Sequence, residues 1–460
     1  MKKYIIGLIV VGVIVALAFP IVNLIVGPPV GTTITDKKVD DPTFAKVLPI
    51  LEKKCVNCHT KEYKLPFYAN FPIAKGIIEA DIKLGLFYMN MLKELFPGEN
   101  KPPTEVALAK IEHTTLMNEM PPLRYIALHW DSMLSKEEQN LILTWVKSTR
   151  AKHYATEGIP ENLKQEVVQP LPQKVDVDEK KVALGNKLYH DKRLSKDNTL
   201  ACAGCHDLAT GGVDRKKFSE GVGGAIGPIN APTVYNALFN FVQFWDGRAK
   251  DLQEQADGPV NNPIEMASNW EEVTSKLNQD AEFTQAFLEV YPSGYNKDNF
   301  TNAIAEFEKT LITPNSRFDQ FLLGKADALN AEEKEGYALF KKYRCATCHV
   351  GKAMGGQSYE KMGLKTDYFK DRGGEIKEAD LGRYNVTKNE EDKHKFKVPL
   401  LRNIAVTQPY LHDGSTDDLQ KVVNIMLKYQ VGKQIPKAEE EKITKFLKTL
   451  TGEYQGKLIQ

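Results

Sequence analysis

Cys55-Val56-Asn57-Cys58-His59, Cys202-Ala203-Gly204-Cys205-His206 and Cys345-Ala346-Thr347-Cys348-His349 together contain every cysteine of the chain. A Cys-x-x-Cys-His pattern that occurs three times and leaves no cysteine over is the attachment signature of c-type haem. Two thiols at this spacing can add across the two vinyl groups of one haem, while the adjacent histidine presents an imidazole to the iron. Zinc would need two such pairs to close a tetrahedral shell, and a thioredoxin-like redox pair gives no reason for the histidine. The motifs therefore predict three covalently bound haem c groups, with Cys55, Cys58, Cys202, Cys205, Cys345 and Cys348 as attachment points. His59, His206 and His349 are then the proximal iron ligands. The sixth ligand decides what each haem does, since a methionine sulfur closes the iron for electron transfer and an open position admits a small oxidant.

The 460 residues are enough for two to four domains, and the nearly even spacing of the motifs favours three. Lys and Arg total 61 against 60 Asp and Glu, so no basic field suits nucleic acid, and that class of partner is excluded. Met1-Lys2-Lys3 precedes an uncharged, mostly aliphatic run from Tyr4 to about Gly27, which as a helix would extend ~36 Å and could span a bilayer. The lysines would stay cytoplasmic and the rest of the chain would lie outside. Ala16-Leu17-Ala18 resembles the cleavage site of a signal peptide, but the apolar run continues past it through Ile21, Val22, Leu24, Ile25 and Val26, which favours a retained anchor. Covalent haem attachment requires export in bacteria, so either reading expects the haem domains in the periplasm. The anchored form would reside in the inner membrane.

Helical periodicity dominates and alternating strands are scarce, which predicts an all-α protein. Asp41-Pro42 opens a segment carrying Phe44, Val47, Leu48 and Leu51 toward Cys55. Asn330 with Glu333 forms a capping box before Tyr337, Leu339 and Phe340 and the third motif, and Ser135 with Glu138 forms another before Leu141, Leu143, Trp145 and Val146. Pro160, Pro170 and Pro172 punctuate a polar stretch with little apolar periodicity, read as a linker. The expected organisation is an anchor or signal segment over 1–31, a monohaem domain over 32–152, a linker over 153–176, and haem domains over 177–320 and 321–460.

From about Val177 onward the sequence resembles the bacterial dihaem cytochrome c peroxidases. The resemblance is carried by Arg193-Leu194-Ser195, Asn230-Ala231-Pro232-Thr233-Val234, Gln243-Phe244-Trp245-Asp246-Gly247-Arg248-Ala249, Gly258-Pro259-Val260, Glu265-Met266, Gly382-Arg383-Tyr384, Val398-Pro399 with Leu401-Arg402-Asn403, and Pro409-Tyr410. The N-terminal region, with Glu119-Met120-Pro121-Pro122, Tyr125 and His129, resembles a separate haem-binding domain. Together they resemble the membrane-anchored trihaem peroxidases, in which an extra haem precedes the dihaem core. The resemblance implies three domains like class I cytochromes c following the N-terminal transmembrane helix.

By this resemblance the haem on Cys202, Cys205 and His206 reduces hydrogen peroxide, and the haem on Cys345, Cys348 and His349 transfers electrons with Met426 as its sixth ligand. Related enzymes that oxidise protein side chains carry tyrosine at the Met426 position. Cleaving the O–O bond requires a group that takes a proton from the near oxygen and returns it to the departing one. Glu265 matches the family's catalytic glutamate, Gln255 its hydrogen-bonding partner, and Trp245 the tryptophan between the two core haems. Asn230, Thr407 and Pro409 match calcium-binding positions, one amide and two carbonyls being suitable hard ligands. For the first haem, Met120 is the expected sixth ligand, with His129 and then Met117 behind it. The implied electron donor is quinol or a small cytochrome c, and the resemblance leaves room for a homodimer. The other readings are a non-enzymatic multihaem carrier and a dihaem oxidase of protein side chains.

The sequence departs from the family at one loop. Where the dihaem peroxidases usually carry Gly-His-Gly, whose histidine blocks the oxidised iron, this chain has Gly221-Val222-Gly223, and no histidine occurs between His206 and His349. Valine cannot ligate iron, so an open peroxidatic site is expected unless Met266 or another loop group fills it.

Overall fold

Asp41 turns the chain into its first haem-bearing region. Its carboxylate accepts from the backbone N–H groups of Thr43 (2.8 Å) and Phe44 (3.2 Å), Pro42 takes the first helical position, and Phe44, Val47, Leu48 and Leu51 form one buried face. The computed structural model describes residues 33–62 and 70–460, with Leu65 and scattered positions between 4 and 25. It divides into two compact units, with the break between Tyr154 and Ala155.

The first unit contains α1 (Pro42–Lys54), α2 (Val56–His59), α3 (Pro72–Tyr88), α4 (Met91–Leu95), α5 (Glu105–Leu116), α6 (Leu123–Ile126) and α7 (Lys136–His153). The capping box expected at Ser135 and Glu138 is formed and starts α7. Trp145 of α7 is fully buried and stacks on Phe44 of α1 with ring centroids 4.6 Å apart. Leu108 and Ile111 of α5 and Ile142 and Val146 of α7 close the core around that pair.

The second unit contains α8 (Glu179–Tyr189), α9 (Cys202–Cys205), α10 (Leu252–Asn261), α11 (Trp270–Leu277), α12 (Ala281–Val290), α13 (Lys297–Lys309), α14 (Arg317–Leu322), α15 (Ala331–Lys342), β1 (Tyr359–Lys361), α16 (Tyr368–Arg372), α17 (Tyr384–Thr387), β2 (Lys395–Lys397), α18 (Leu419–Met426), α19 (Lys437–Leu447), β3 (Glu453–Tyr454) and β4 (Lys457–Leu458). The strands form two short antiparallel pairs, β1 with β2 and β3 with β4, so the fold is mostly helical as expected. One arrangement occurs twice. α13 lies across α8 at Gly185, where a Cβ would overlap the carbonyl oxygen of Ala303, and α19 lies across α15 at Gly336, where a Cβ would overlap that of Lys442. Each glycine sits on the helix preceding a Cys-x-x-Cys-His turn, so the absence of a side chain is what lets the backbones touch. α15 begins with the expected Asn330/Glu333 capping box, and Arg317 grips the same Glu333 carboxylate with both guanidinium arms (2.7 and 2.6 Å).

The proline-rich segment read as a linker is no free tether. The backbone N–H of Thr156 donates to Gln169 Oε1 (3.1 Å), Val168 bridges to Gly351, and Glu166 accepts from the Tyr337 hydroxyl (2.7 Å) and from Lys341 (3.0 Å). Arg402, fully buried, ties this segment down. It donates to the carbonyls of Gln169 (2.9 Å) and Lys352 (2.8 Å) and to Ser316 Oγ (3.1 Å), and pairs with buried Asp319 at 2.8 Å. The prolines shorten the polar backbone's demand for partners, and Gln169 and Arg402 satisfy what remains.

The expected inner-membrane anchor is corrected by the structure. Among the described residues no helix is long and apolar enough to cross a membrane. Half of the Tyr4 to Gly27 run that raised the expectation lies outside the described residues.

Candidate active site

The three motif histidines are prepared in the same way. His59 donates its Nδ1–H to the carbonyl of Met89 (3.0 Å), His206 to that of Gly212 (3.3 Å) and His349 to that of Met354 (3.1 Å). A carbonyl can only accept, so Nδ1 carries the proton and Nε2 keeps its lone pair. Burial holds all three imidazoles neutral by pushing their pKa values down, to about 4 for His349. A neutral imidazole oriented by a carbonyl behind it is what a proximal metal ligand requires. None of the six cysteines is paired in a disulfide, and burial pushes the first thiol of each motif up to about 12. Each motif could therefore hold a haem, the thiols as attachment points and Nε2 as the iron ligand.

Around the second motif the structure brings together residues far apart in sequence. Tyr189 at the end of α8 donates its hydroxyl to the His206 carbonyl (2.6 Å). Glu265 is half-buried and lies near enough to Cys205 for its charge to raise that thiol. Its own carboxyl is raised above the ordinary range by burial, while a hydrogen bond from Asn262 Nδ2 (2.8 Å) and the charge of Arg248 pull the other way. The Gly221-Val222-Gly223 loop runs directly beneath it. Val222 N–H donates to the Glu265 carbonyl (2.8 Å), and Gly221 sits so close to the Ile264 carbonyl that a Cβ would overlap it.

Gln255, on α10, is half-buried, and among the described residues the hydrogen-bond partner of the Glu265 carboxylate is Asn262 instead. Reading the sequence did not single out Asn262, which holds this carboxylate. It caps α10, and its Oδ1 accepts from Ile264 N–H (3.2 Å) in a turn that the Asn262-Pro263 pair could have signalled. Met266, the alternative occupant of the open position, is 5% exposed and packed in a core with Leu184, Leu188, Val260 and Val273.

A second constellation links Trp245 to the remaining sequence candidates. The Trp245 indole N–H donates to the Asn230 carbonyl (2.9 Å), and Asn230 N–H donates to the carbonyl of His412 (2.8 Å). The Trp245 ring meets Phe396 and His412 edge-on. Trp245 and Met426, the last residue of α18, pack against the same cluster of Met362, Tyr368, Phe369, Phe396 and Tyr429. His412 is buried and pairs with Asp380 at 2.8 Å. Arg372 grips Asp380 with both arms, and it holds that carboxyl far below the usual range together with the His412 bond and against the cost of burial. Asn230 is buried, and its Nδ2 donates to the carbonyls of Lys216 (3.1 Å) and Lys217 (3.4 Å), which leaves Oδ1 as the acceptor for a hard cation. Thr407 and Pro409 flank the turn that leads to His412. Among the described residues no cluster of three His, Cys, Asp or Glu side chains could hold a metal ion, so a cation here would rely on amide and carbonyl oxygens.

In the first unit, Asn57 within the motif donates to the Tyr125 hydroxyl (3.3 Å). Tyr125 in turn stacks on His129, whose Nδ1–H is taken by the Tyr125 carbonyl (3.1 Å). Met120 and Met117 are 38% and 45% exposed, so both sulfurs are outside the core and accessible to a ligand-binding role.

A mostly helical chain with three such histidine and thiol sets is a multihaem c-type cytochrome by its chemistry. Residues 179–327 match the di-haem cytochrome c peroxidase family and residues 26–148 match a haem-binding domain family. Cytochrome c peroxidase Ccp of Escherichia coli (strain K12) is 51% identical over 413 residues, covering 89% of this chain and 88% of that one. Cytochrome c551 peroxidase of Nitrosomonas europaea is 46% identical over 63% of this chain and 85% of its own length. Among solved structures, a MauG-like protein associated with microbial copper homeostasis superposes with a TM-score of 0.56 at 26% identity, covering 65% of this chain and 96% of that one. The chain belongs to the di-haem cytochrome c peroxidase family and carries an additional N-terminal haem-binding domain.

Proposed function

We propose that this enzyme reduces hydrogen peroxide to water at a haem held by Cys202, Cys205 and His206, with Glu265 carrying the protons. The observation that supports the site most directly is the seat of Glu265, half-buried beside the second motif and fastened to the Gly221-Val222-Gly223 loop. The reaction consumes two electrons and two protons. A haem bound there supplies the iron at which the O–O bond breaks. Glu265, ionised, takes the proton from the oxygen nearer the iron and returns it to the departing oxygen, and Asn262 fixes the carboxylate while it does so. Gln255, by the family resemblance, would supply a second polar group beside it.

Three haems are assigned, each within its own cytochrome c-like domain, a reading supported by the repeated helix crossings at Gly185 and Gly336. His59 would hold the haem that takes electrons from a small cytochrome or quinol, with Met120 the proposed sixth ligand ahead of His129 and Met117. His349 and Met426 would hold the haem that passes them on, with Trp245 on the path to the peroxide site. Asn230 Oδ1 and the carbonyls of Thr407 and Pro409 would hold a calcium ion, which would brace the segment to which Trp245 is bonded. The test is the ferric spectrum with a peroxide assay under a reduced cytochrome donor. One high-spin haem beside two low-spin haems, with peroxide consumption, is expected. Three low-spin haems and no consumption would support a plain electron carrier instead.

A further inference from the structure

Lys397, on β2, is 5% exposed, and among the described residues no hydrogen bond, ion pair or ring contact engages its ammonium. Its neighbour Lys395 is paired with Asp392 at 3.2 Å, and Phe396 between them enters the aromatic cluster beside Trp245. A buried ammonium without an anion costs several kcal/mol, so folded proteins either pair such a group or neutralise it. Burial alone pulls this lysine down to about 8, with no carboxylate among the described residues acting against it. An anion is missing from its surroundings.

The backbone around Lys397 indicates where that anion lies. Lys397 N–H donates to the Trp245 carbonyl (2.8 Å), and the carbonyl of Val398, the next residue, accepts from Gly356 N–H (2.8 Å), two residues past Met354, whose carbonyl holds the His349 imidazole. The lysine thus stands on the short stretch joining Trp245 to the histidine of the third motif. A haem attached at Cys345 and Cys348 would carry two propionate carboxylates, anions of the kind this ammonium calls for. We propose that Lys397 is the charge partner of a propionate of the haem held by His349, and that it raises the reduction potential of that haem. The proposal rests on the assignment of a haem to the third motif. Reduction adds negative charge to the haem, so a propionate left unpaired opposes it and the ammonium favours it. A single charge acting through a partly screened interior changes such an equilibrium by about tenfold.

The experiment is a spectroelectrochemical titration of the intact holoprotein, with haem content measured as the pyridine haemochrome. Lys397→Met and Lys397→Gln should each lower the reduction equilibrium constant of the haem held by His349 by about tenfold, equivalent to 59 mV for one electron. Lys397→Arg, which keeps the charge, should stay within about twofold of the wild type, and the other haems should not move in any variant. A shift under about twofold in both uncharged variants overturns the proposal. An equal shift in the arginine variant also overturns it, since packing and not charge would then be responsible. Two haems per wild-type chain would instead remove the underlying assignment, and the haem count reports that separately from the potentials.

Discussion

Replacing Glu265 with glutamine isolates the proton-carrying role, because the amide keeps the shape and an oxygen that can accept from Asn262 (2.8 Å) while losing the titrating group. Acid–base groups of this kind contribute about 10²- to 10⁴-fold. kcat/KM for peroxide should fall by that factor, an increase in barrier of ~2.7–5.4 kcal/mol at about 1.36 kcal/mol per tenfold. The structure also sets the sign of the pH dependence. Burial raises the Glu265 carboxyl above its ordinary 4.5, and Asn262 and Arg248 only partly offset this. The carboxylate must be ionised to accept a proton, so wild-type activity should fall as pH drops through a value above 4.5, and this acidic limb should vanish in the variant. Stability runs the opposite way. A carboxyl whose pKa is raised by folding contributes its stabilisation fully below its unfolded value and loses it as pH rises through the folded one. Glutamine, uncharged throughout, should therefore unfold at pH 7 no earlier than the wild type. The assay is steady-state peroxide reduction across pH with a reduced cytochrome donor, alongside haem spectra and thermal unfolding. A loss below about threefold with the acidic limb intact would refute the proton-shuttle argument, because the 10²-fold floor would not be met.

With valine at 222 and no histidine in reach, fully ferric protein mixed with one equivalent of peroxide should react at once; a lag removed only by prior reduction would show that another group blocks the site. Asp319→Ala should destabilise the second unit by about 3–5 kcal/mol in denaturant unfolding, since it leaves Arg402 charged and fully buried; a change below about 1 kcal/mol would mean the pair is not strongly coupled. Removing calcium with a chelator should lower peroxide turnover severalfold and disturb Trp245 fluorescence, with calcium but not magnesium restoring both; insensitivity to chelation would dismiss the cation site at Asn230. Met120→Ala should open the iron of the N-terminal haem and lower its potential, and an unchanged spectrum and potential would transfer the role to His129 or Met117.

What was readable in the sequence was local. The haem motifs carry their chemistry within five residues, and the capping boxes at Ser135/Glu138 and Asn330/Glu333 specify helix starts within four, so both appear in the structure where the residues place them. Glu265, Trp245 and Met426 were reachable only through the family resemblance, because nothing in an isolated Glu, Trp or Met marks it as functional. Asn262 was signalled only by a turn-forming Asn-Pro pair with nothing to tie that turn to chemistry, and Lys397 escaped because its setting comes from tertiary burial. A lysine in Lys395-Phe396-Lys397 reads as solvated, and only the fold shows it enclosed. The segment 153–176 reads as a linker from its prolines, yet its partners Gly351, Asp319 and Arg402 lie more than a hundred residues away and leave no local trace.

The loop at Gly221-Val222-Gly223 shows why losing a ligand there need not loosen the site. Its backbone is anchored twice to the Ile264-Glu265 segment, by the Val222 N–H bond to the Glu265 carbonyl and by the close seat of Gly221 against Ile264. It is also closed on itself, with Glu220 bridging Ile226 and Gly221 N–H donating to Ala225 (2.7 Å). None of these contacts uses the side chain at 222. In a loop tied this way, any movement that brought a histidine onto the iron or took it off would also shift the backbone of the proton-carrying glutamate, coupling gating to acid–base geometry. On the proposed role of Glu265, valine would remove the gating half of that coupling and keep the positioning half, leaving Glu265 set for chemistry in the oxidised enzyme.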